Sequence, residues 1–306
     1  MTTGHKPKLI LLTGANGQVG FELAHSLKGL GHVVALDRND LDLADSKQIR
    51  RVVRELSPAL IVNAAAYTAV DAAESDAATA MRLNAEAPDI LAQEAKRLGA
   101  LLVHYSTDYV FDGTKDGPYE EDDVPNPLNV YGKSKLAGEQ AMTASGCAHL
   151  ILRTSWVYGA RGKNFLRTML QLGAQREELS VVADQIGAPT WSRNIATITS
   201  DLLSQLLLRD QGEWLLRSGI YHLTASGATS WCGFAQAIFD TSTLAHKPVV
   251  KAIPTAAYSA FTSAGFSTAA VRPKNSRLSN DKLFATFGLT APDWREALKL
   301  CMADLL

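Results

Sequence analysis

Five short apolar runs, separated by four helix-like stretches, constrain this chain more than any other feature of its sequence. The runs cover residues 8–12, 32–36, 59–63, 101–105 and 150–154. Helical patterns fill residues 17–30, 46–56, 77–98 and 130–143 between them. A strand that is apolar along its whole length needs cover on both faces, and alternation with helices supplies it. The expected architecture is α/β, a doubly wound parallel sheet. Such sheets bind ligands beyond the carboxyl ends of their strands. Gly14, Asp37, Asn63 and Thr107 all fall at such ends. Ser46 is the expected N-cap of its helix, and Pro88 should break or kink the long helix 77–98.

Beyond Trp156 the pattern loosens. Residues 181–190 read as a strand and a Gly/Pro turn, 219–224 and 248–253 as strands, and 194–208, 230–241 and 293–305 as helices. Residues 256–270, rich in Ser, Thr and Ala, read as a mobile loop. Residues 112–129, rich in acids and prolines, read as a surface loop at the mouth of the site.

Three hundred and six residues suffice for a full core, in one large domain or two coupled ones. The expected division is a dinucleotide-binding domain over 1–155, with segments near 191–224 returning to it. A smaller α/β substrate domain then covers 156–190 and 225–306.

The charge balance, 30 basic against 31 acidic residues, lacks the basic face that nucleic acid requires. No apolar run approaches the length of a membrane span. The first eight residues lack the apolar stretch of a secretory signal. Cys147, Cys232 and Cys301 are scattered, with neither metal-ligand nor disulfide spacing. The expected location is the cytoplasm.

Thr13-Gly14-Ala15-Asn16-Gly17-Gln18-Val19-Gly20 follows the first strand and opens a helix. Glycines there allow a tight turn and bring a diphosphate close to helix N–H groups. The spacing is G-x-x-G-x-x-G. Asp37 closes the second strand, 23 residues past Gly14, where an acid accepts from a ribose 2′-OH and favours NAD. Arg38 beside it offers a cation for a 2′-phosphate and favours NADP. These signals conflict, so the cofactor is NADPH or NADH. Asp42 and Leu43 suit the adenine end. Ala64, Ala65 and Ala66 are small enough for a cofactor to lie against the backbone.

Tyr131 precedes Lys135 by four residues, one turn along the same helical face. A phenol holds its proton to a pKa near ~10, and a neighbouring ammonium lowers that value. The pair is a proton donor suited to carbonyl chemistry. Ser106-Thr107 adds hydroxyls at the end of the fourth strand.

Together these residues resemble the extended short-chain dehydrogenase/reductase superfamily, whose cofactor domain is Rossmann-type. Within it the chain is most similar to the dTDP-4-dehydrorhamnose reductase family. The strings that carry this are Ala64-Ala-Ala-Tyr-Thr-Ala-Val-Asp71, Ser106-Thr-Asp-Tyr-Val-Phe-Asp-Gly113, Arg153-Thr-Ser-Trp-Val-Tyr-Gly159, Asp184-Gln-Ile-Gly-Ala-Pro-Thr190 and Arg272-Pro-Lys-Asn-Ser-Arg-Leu278. The resemblance implies reduction of dTDP-4-dehydro-β-L-rhamnose to dTDP-β-L-rhamnose. Tyr131 would be the general acid. Lys135 would lower its pKa and hold the nicotinamide ribose, and Thr107 would hydrogen-bond the C4 oxygen. Asp108 and Trp156 match sugar-contacting positions. Gln185 and Thr190 would lie where the substrate domain closes. Arg272 and Arg277 are candidates for the diphosphate, because the planar guanidinium offers paired donors.

Some relatives bridge a dimer through Mg²⁺ and acidic side chains. Glu22 matches one such position, but Ser192-Arg193-Asn194 offers no second acid. No metal is therefore expected, and the chain should be a monomer or weak homodimer. Two other readings share the scaffold. A sugar-nucleotide dehydratase or epimerase is disfavoured because Tyr109 follows Asp108 where a 4,6-dehydratase has Glu. A non-catalytic subunit resembling the methionine adenosyltransferase β subunit would not need Thr107, Tyr131 and Lys135 together.

Overall fold

The structure, a computed structural model, describes residues 8–257 and 270–305. The strands are β1 Leu9–Thr13, β2 His32–Leu36, β3 Leu60–Asn63, β4 Leu101–Thr107, β5 His149–Thr154, β6 Val157–Tyr158, β7 Glu178–Val182, β8 Ile186–Gly187, β9 Thr190–Trp191, β10 Gly219–His222, β11 Thr229–Ser230 and β12 Val249–Ile253. The helices are α1 Gln18–Ser26, α2 Ser46–Leu56, α3 Val70–Ala73, α4 Ala77–Met81, α5 Ala87–Leu98, α6 Val130–Ser145, α7 Phe165–Gly173, α8 Ser192–Leu207, α9 Gln211–Leu216, α10 Trp231–Thr241, α11 Asp281–Phe287 and α12 Trp294–Ala303.

The main sheet has the order β10-β5-β4-β3-β1-β2, and every pairing in it is parallel. Successive side chains of a strand point to opposite faces. Ile10 and Leu12 therefore pack with α1 and α8, while Leu11 packs with α2, α5 and α6. The expected α/β doubly wound fold is observed. The chain reverses direction across the sheet between β1 and β3, which opens a crevice at their carboxyl ends.

One local expectation is corrected and another is met in a specific form. The N-cap of α2 is Asp45 rather than Ser46, because its carboxylate accepts from the N–H groups of Lys47 (2.9 Å) and Gln48 (3.0 Å). The break at Pro88 takes the form of a π-helical stretch, Arg82–Glu86, between α4 and α5. Proline has no N–H to continue the ladder, and it sits in the first turn of α5. The wider turn faces Asn84 inward, where its side chain bonds both backbone groups of Tyr67 and the hydroxyl of Ser134.

A second core forms around Tyr158, Leu166, Phe234, Phe239 and Trp294. Short strand pairs flank it: β7 with β12, β8 with β11 and β6 with β9. The strand expected at the start of 181–190 is the end of β7, and the stretch expected as a Gly/Pro turn carries the short strands β8 and β9. Residues 112–129 hold no strand or helix, but Tyr119 anchors them, stacked on Phe111 at 4.1 Å. The loop expected over 256–270 falls largely outside the described residues.

Candidate active site

A cleft of about 810 Å³ opens at the sheet reversal. Its cofactor-sided wall is built by Gly14, Asn16, Gly17, Gln18, Val19, Asp37, Arg38, Asp42, Leu43, Ala64, Ala65 and Ala66. Gly14 turns with φ +72°, and a Cβ there would lie 2.6 Å from the Ala65 nitrogen. A Cβ on Gly20 would lie 2.0 Å from the Gly14 carbonyl oxygen, so Gly20 shapes the turn from behind. Gly17 is the N-cap of α1 and offers no side chain to its N–H groups. Those donors, with the positive end of the helix dipole, suit a diphosphate. Asp37 accepts from Asn16 Nδ2 at 2.7 Å and from the Asn39 N–H at 2.7 Å. The backbone N–H of Asn39 is the main cause that holds its carboxyl below the usual range. The wall fits a dinucleotide.

The inner end of the cleft gathers Thr107, Asp108, Tyr131, Lys135 and Trp156. Thr107 ends β4 and Asp108 opens the 3₁₀ turn Asp108–Val110. Tyr131 and Lys135 lie in the first turns of α6, capped by Asn129. Thr107 Oγ1 donates to Asp108 Oδ1 at 3.2 Å and is hydrogen-bonded to the Tyr131 hydroxyl. Burial, countered by Thr107 and reinforced by the Asp108 charge, pushes the Tyr131 phenol up to about 12. Burial raises Asp108 to about 6, against hydrogen bonds from Ser276 and Thr107. Lys135 is fully buried, which lowers its ammonium to about 7. Its Nζ donates to the Tyr105 carbonyl at 2.6 Å and meets His104 Nε2 at 2.9 Å. Trp156 has φ +48° and stacks on Trp231.

Other expected residues lie outside the cleft lining. Gln185 donates to Thr255 Oγ1 at 3.2 Å. Thr190 donates to the Ala188 carbonyl at 2.9 Å, and its own N–H bonds the Trp156 carbonyl at 3.2 Å. Arg272 grips Asp71 with both terminal nitrogens, at 3.1 and 2.6 Å. Arg277 donates to Asn275 Oδ1 and the Asp116 carbonyl. Glu22 is engaged by Arg193 at 3.1 Å, and Arg193 also pairs with Asp304 at 2.6 Å.

Two contributors were not singled out in the sequence, His104 on Lys135 and Ser276 on Asp108, and Tyr109, noted there only for standing in place of Glu, lies edge-on to Tyr131 at 5.6 Å. Only His104 carries a local signal, a titratable residue inside an apolar strand.

The profile of the RmlD substrate binding domain matches residues 8–306. The dTDP-4-dehydrorhamnose reductase of Burkholderia thailandensis is 52% identical, over 97% of this chain and 99% of that protein. Its Salmonella typhimurium counterpart is 43% identical, over 97% of each. The crystal structure of dTDP-4-dehydrorhamnose reductase from Bacillus anthracis in complex with NADP superposes with a TM-score of 0.87, at 36% identity, covering 97% of this chain and 99% of that one. UDP-glucose 4-epimerase of Thermus thermophilus with NAD shares the fold, with a TM-score of 0.78 at 19% identity over 97% of this chain and 98% of that one. With a match over nearly its whole length, the chain belongs to the RmlD substrate binding domain family, alongside the dTDP-4-dehydrorhamnose reductases.

Proposed function

We propose that this chain reduces the C4 ketone of dTDP-4-dehydro-β-L-rhamnose to dTDP-β-L-rhamnose, the last step in forming that sugar nucleotide, with NADPH or NADH. The observation that carries this reading is the meeting of Thr107, Tyr131 and Lys135 inside a cleft whose other wall fits a dinucleotide.

The reduced nicotinamide supplies the hydride. Tyr131 gives its proton to the C4 oxygen as negative charge develops there. Thr107 hydrogen-bonds the same oxygen. A charged Lys135 eases the proton's departure from Tyr131, and its Nζ would also hold the nicotinamide ribose hydroxyls. Asp108 and Trp156 bind the sugar. Thr190 supports Trp156 through its backbone, and Gln185 sits on the segment that closes over the sugar nucleotide. Arg272, whose charge reaches Tyr109, and Arg277 are assigned to the diphosphate. The cofactor unit is 1–155 with 191–224, and the substrate unit is 156–190 with 225–306.

No helix among the described residues is long and apolar enough to cross a membrane. We assign the chain to the cytoplasm as a monomer or weak homodimer.

The test is loss of reduced-nicotinamide absorbance from NADPH, and separately NADH, on adding enzymatically made dTDP-4-dehydro-L-rhamnose. Oxidation that yields dTDP-L-rhamnose is expected, and the two rates rank the cofactors. No oxidation by folded, cofactor-binding protein would overturn the proposal.

A further inference from the structure

His104 interrupts an otherwise apolar stretch of β4, and its ring is 1% exposed. Its Nδ1 lies 3.0 Å from Asn63 Nδ2, and its Nε2 lies 2.9 Å from Lys135 Nζ. Both neighbours ordinarily donate. A neutral imidazole has one donor and one acceptor, and an imidazolium has two donors. Whatever its protonation, the ring cannot accept from both sides, so one neighbour must accept from it.

Asn63 is held the other way. Its Oδ1 receives the Thr13 hydroxyl at 2.7 Å and the Ala65 backbone N–H at 3.3 Å. Turning the amide over would set its NH₂ against a backbone N–H that cannot rotate. Asn63 Nδ2 therefore donates to His104 Nδ1, and the ring proton belongs on Nε2, facing Lys135. An ammonium has no lone pair to receive it. The neutral amine does, and still keeps a hydrogen for the Tyr105 carbonyl.

We propose that His104 is a positioning residue that, fixed in its Nε2–H tautomer by Asn63, holds Lys135 as an uncharged amine until Lys135 takes a proton from solvent. In the amine state Nε2–H donates to Nζ. When Nζ gains the proton this bond is lost, and the new ammonium is the form that stabilises the Tyr131 phenolate. Thr13, Asn63, His104 and Lys135 come from the ends of β1 and β3, from β4 and from α6. The relay therefore ties the charge of the catalytic helix to the sheet.

The groups that face Lys135 are mostly uncharged. On α6, Tyr131 is neutral at ordinary pH, and Glu139 favours the ammonium. Arg153 of β5 binds that carboxylate through two nitrogens, at 2.9 and 2.7 Å. From β4 come neutral His104 and the phenol of Tyr105, raised by burial. The 3₁₀ turn after β4 contributes Asp108 and Tyr109 to the same cleft. The α4–α5 stretch contributes uncharged Asn84, through Ser134. Burial lowers Lys135 enough for the switch to fall near neutrality.

The first test does not depend on the proposed reaction. In the full chain labelled with [15N]histidine, the ring nitrogens of His104 are assigned by their loss in His104→Gln. Nitrogen–proton correlations should show Nε2 protonated and Nδ1 bare at neutral and mildly alkaline pH. A proton on Nδ1 would overturn the proposal.

The second test rests on the reductase reading. Activity should fall as pH rises through the Lys135 pKa. In His104→Gln the side-chain oxygen accepts from the ammonium, so the alkaline limb of kcat/KM should move up by about one pH unit. In Asn63→Asp the carboxylate accepts from a protonated Nδ1 and leaves Nε2 as an acceptor, so the limb should move the same way. A lower rate with an unmoved limb in both variants would reduce His104 to packing and sink the proposal. Failure of the wild-type chain to turn over the keto sugar would count against the reaction and leave the tautomer result standing.

Discussion

Trp156 lies flat against Trp231, with ring centroids 3.6 Å apart and planes 8° from parallel. Trp156 holds φ +48°, a backbone region that side-chain-bearing residues seldom occupy. The stacked partner helps hold it there, since aromatic pairs contribute about 0.5–1.5 kcal/mol beyond area burial. Trp231→Ala should raise the sugar-nucleotide KM by about tenfold with little change in kcat. Steady-state kinetics with saturating cofactor would read this, and a fall in kcat at constant KM would contradict it.

Tyr131→Phe should cut turnover by ~10²-fold or more, the scale of a general acid. Cofactor affinity, read by fluorescence titration, should stay within about twofold. Unchanged turnover would remove Tyr131 from the chemistry.

Asp37→Ala should weaken NADH by about tenfold and NADPH less, because the lost acceptor serves a ribose 2′-OH that NADPH does not present. Titrating both cofactors against the variant checks this. Equal losses would move discrimination away from Asp37.

Asp108 is buried, and its folded-state pKa of about 6 lies above its ordinary 3.8. The unfolded chain therefore sheds this proton first. The group lowers stability progressively as pH rises from about 4 to about 6, and adds no further change above or below that window. Asp108→Asn should match the wild type below pH ~4 and exceed it by on the order of 3 kcal/mol above pH ~6. Urea unfolding across that range measures the difference.

Arg153 and Glu139 form a buried pair whose side chains are 1% and 2% exposed. Arg153→Met should cost about 3–5 kcal/mol, because it strands a carboxylate. Adding Glu139→Leu should recover most of that loss. A double variant as unstable as the single one would show that packing governs the site.

The main sheet was legible because β1 to β5 are short, mostly apolar runs alternating with helical patterns, the appearance of buried parallel strands. Tyr131 and Lys135 were legible because one helical turn fixes their relation. Asp45 and Ser46 are both good caps, so only geometry separates them. The two-residue strands β6, β8, β9 and β11 exist through pairings with distant segments and leave no local pattern. The nine-residue α7 was hidden by its shortness. The Thr13–Asn63–His104–Lys135 chain joins four elements, and no spacing along the sequence encodes it. Gln185 and Thr190 came from the family resemblance and Arg277 from the chemistry of its residue type, and their side chains hydrogen-bond Thr255, Ala188 and Asn275.

The second core draws its members from two stretches of chain, Tyr158 to Trp191 and Ala225 to Met302. Between them the chain returns to set β10 beside β5. During synthesis the ribosome releases β1 to β5 first, so the large sheet has five of its six strands early. Phe165 and Leu166 must wait for Phe234, and Phe234 for Trp294, before their apolar faces are covered. The half-built protein thus carries an open hydrophobic surface until α12 emerges, and its exposure to aggregation is set by the time taken to translate those final helices.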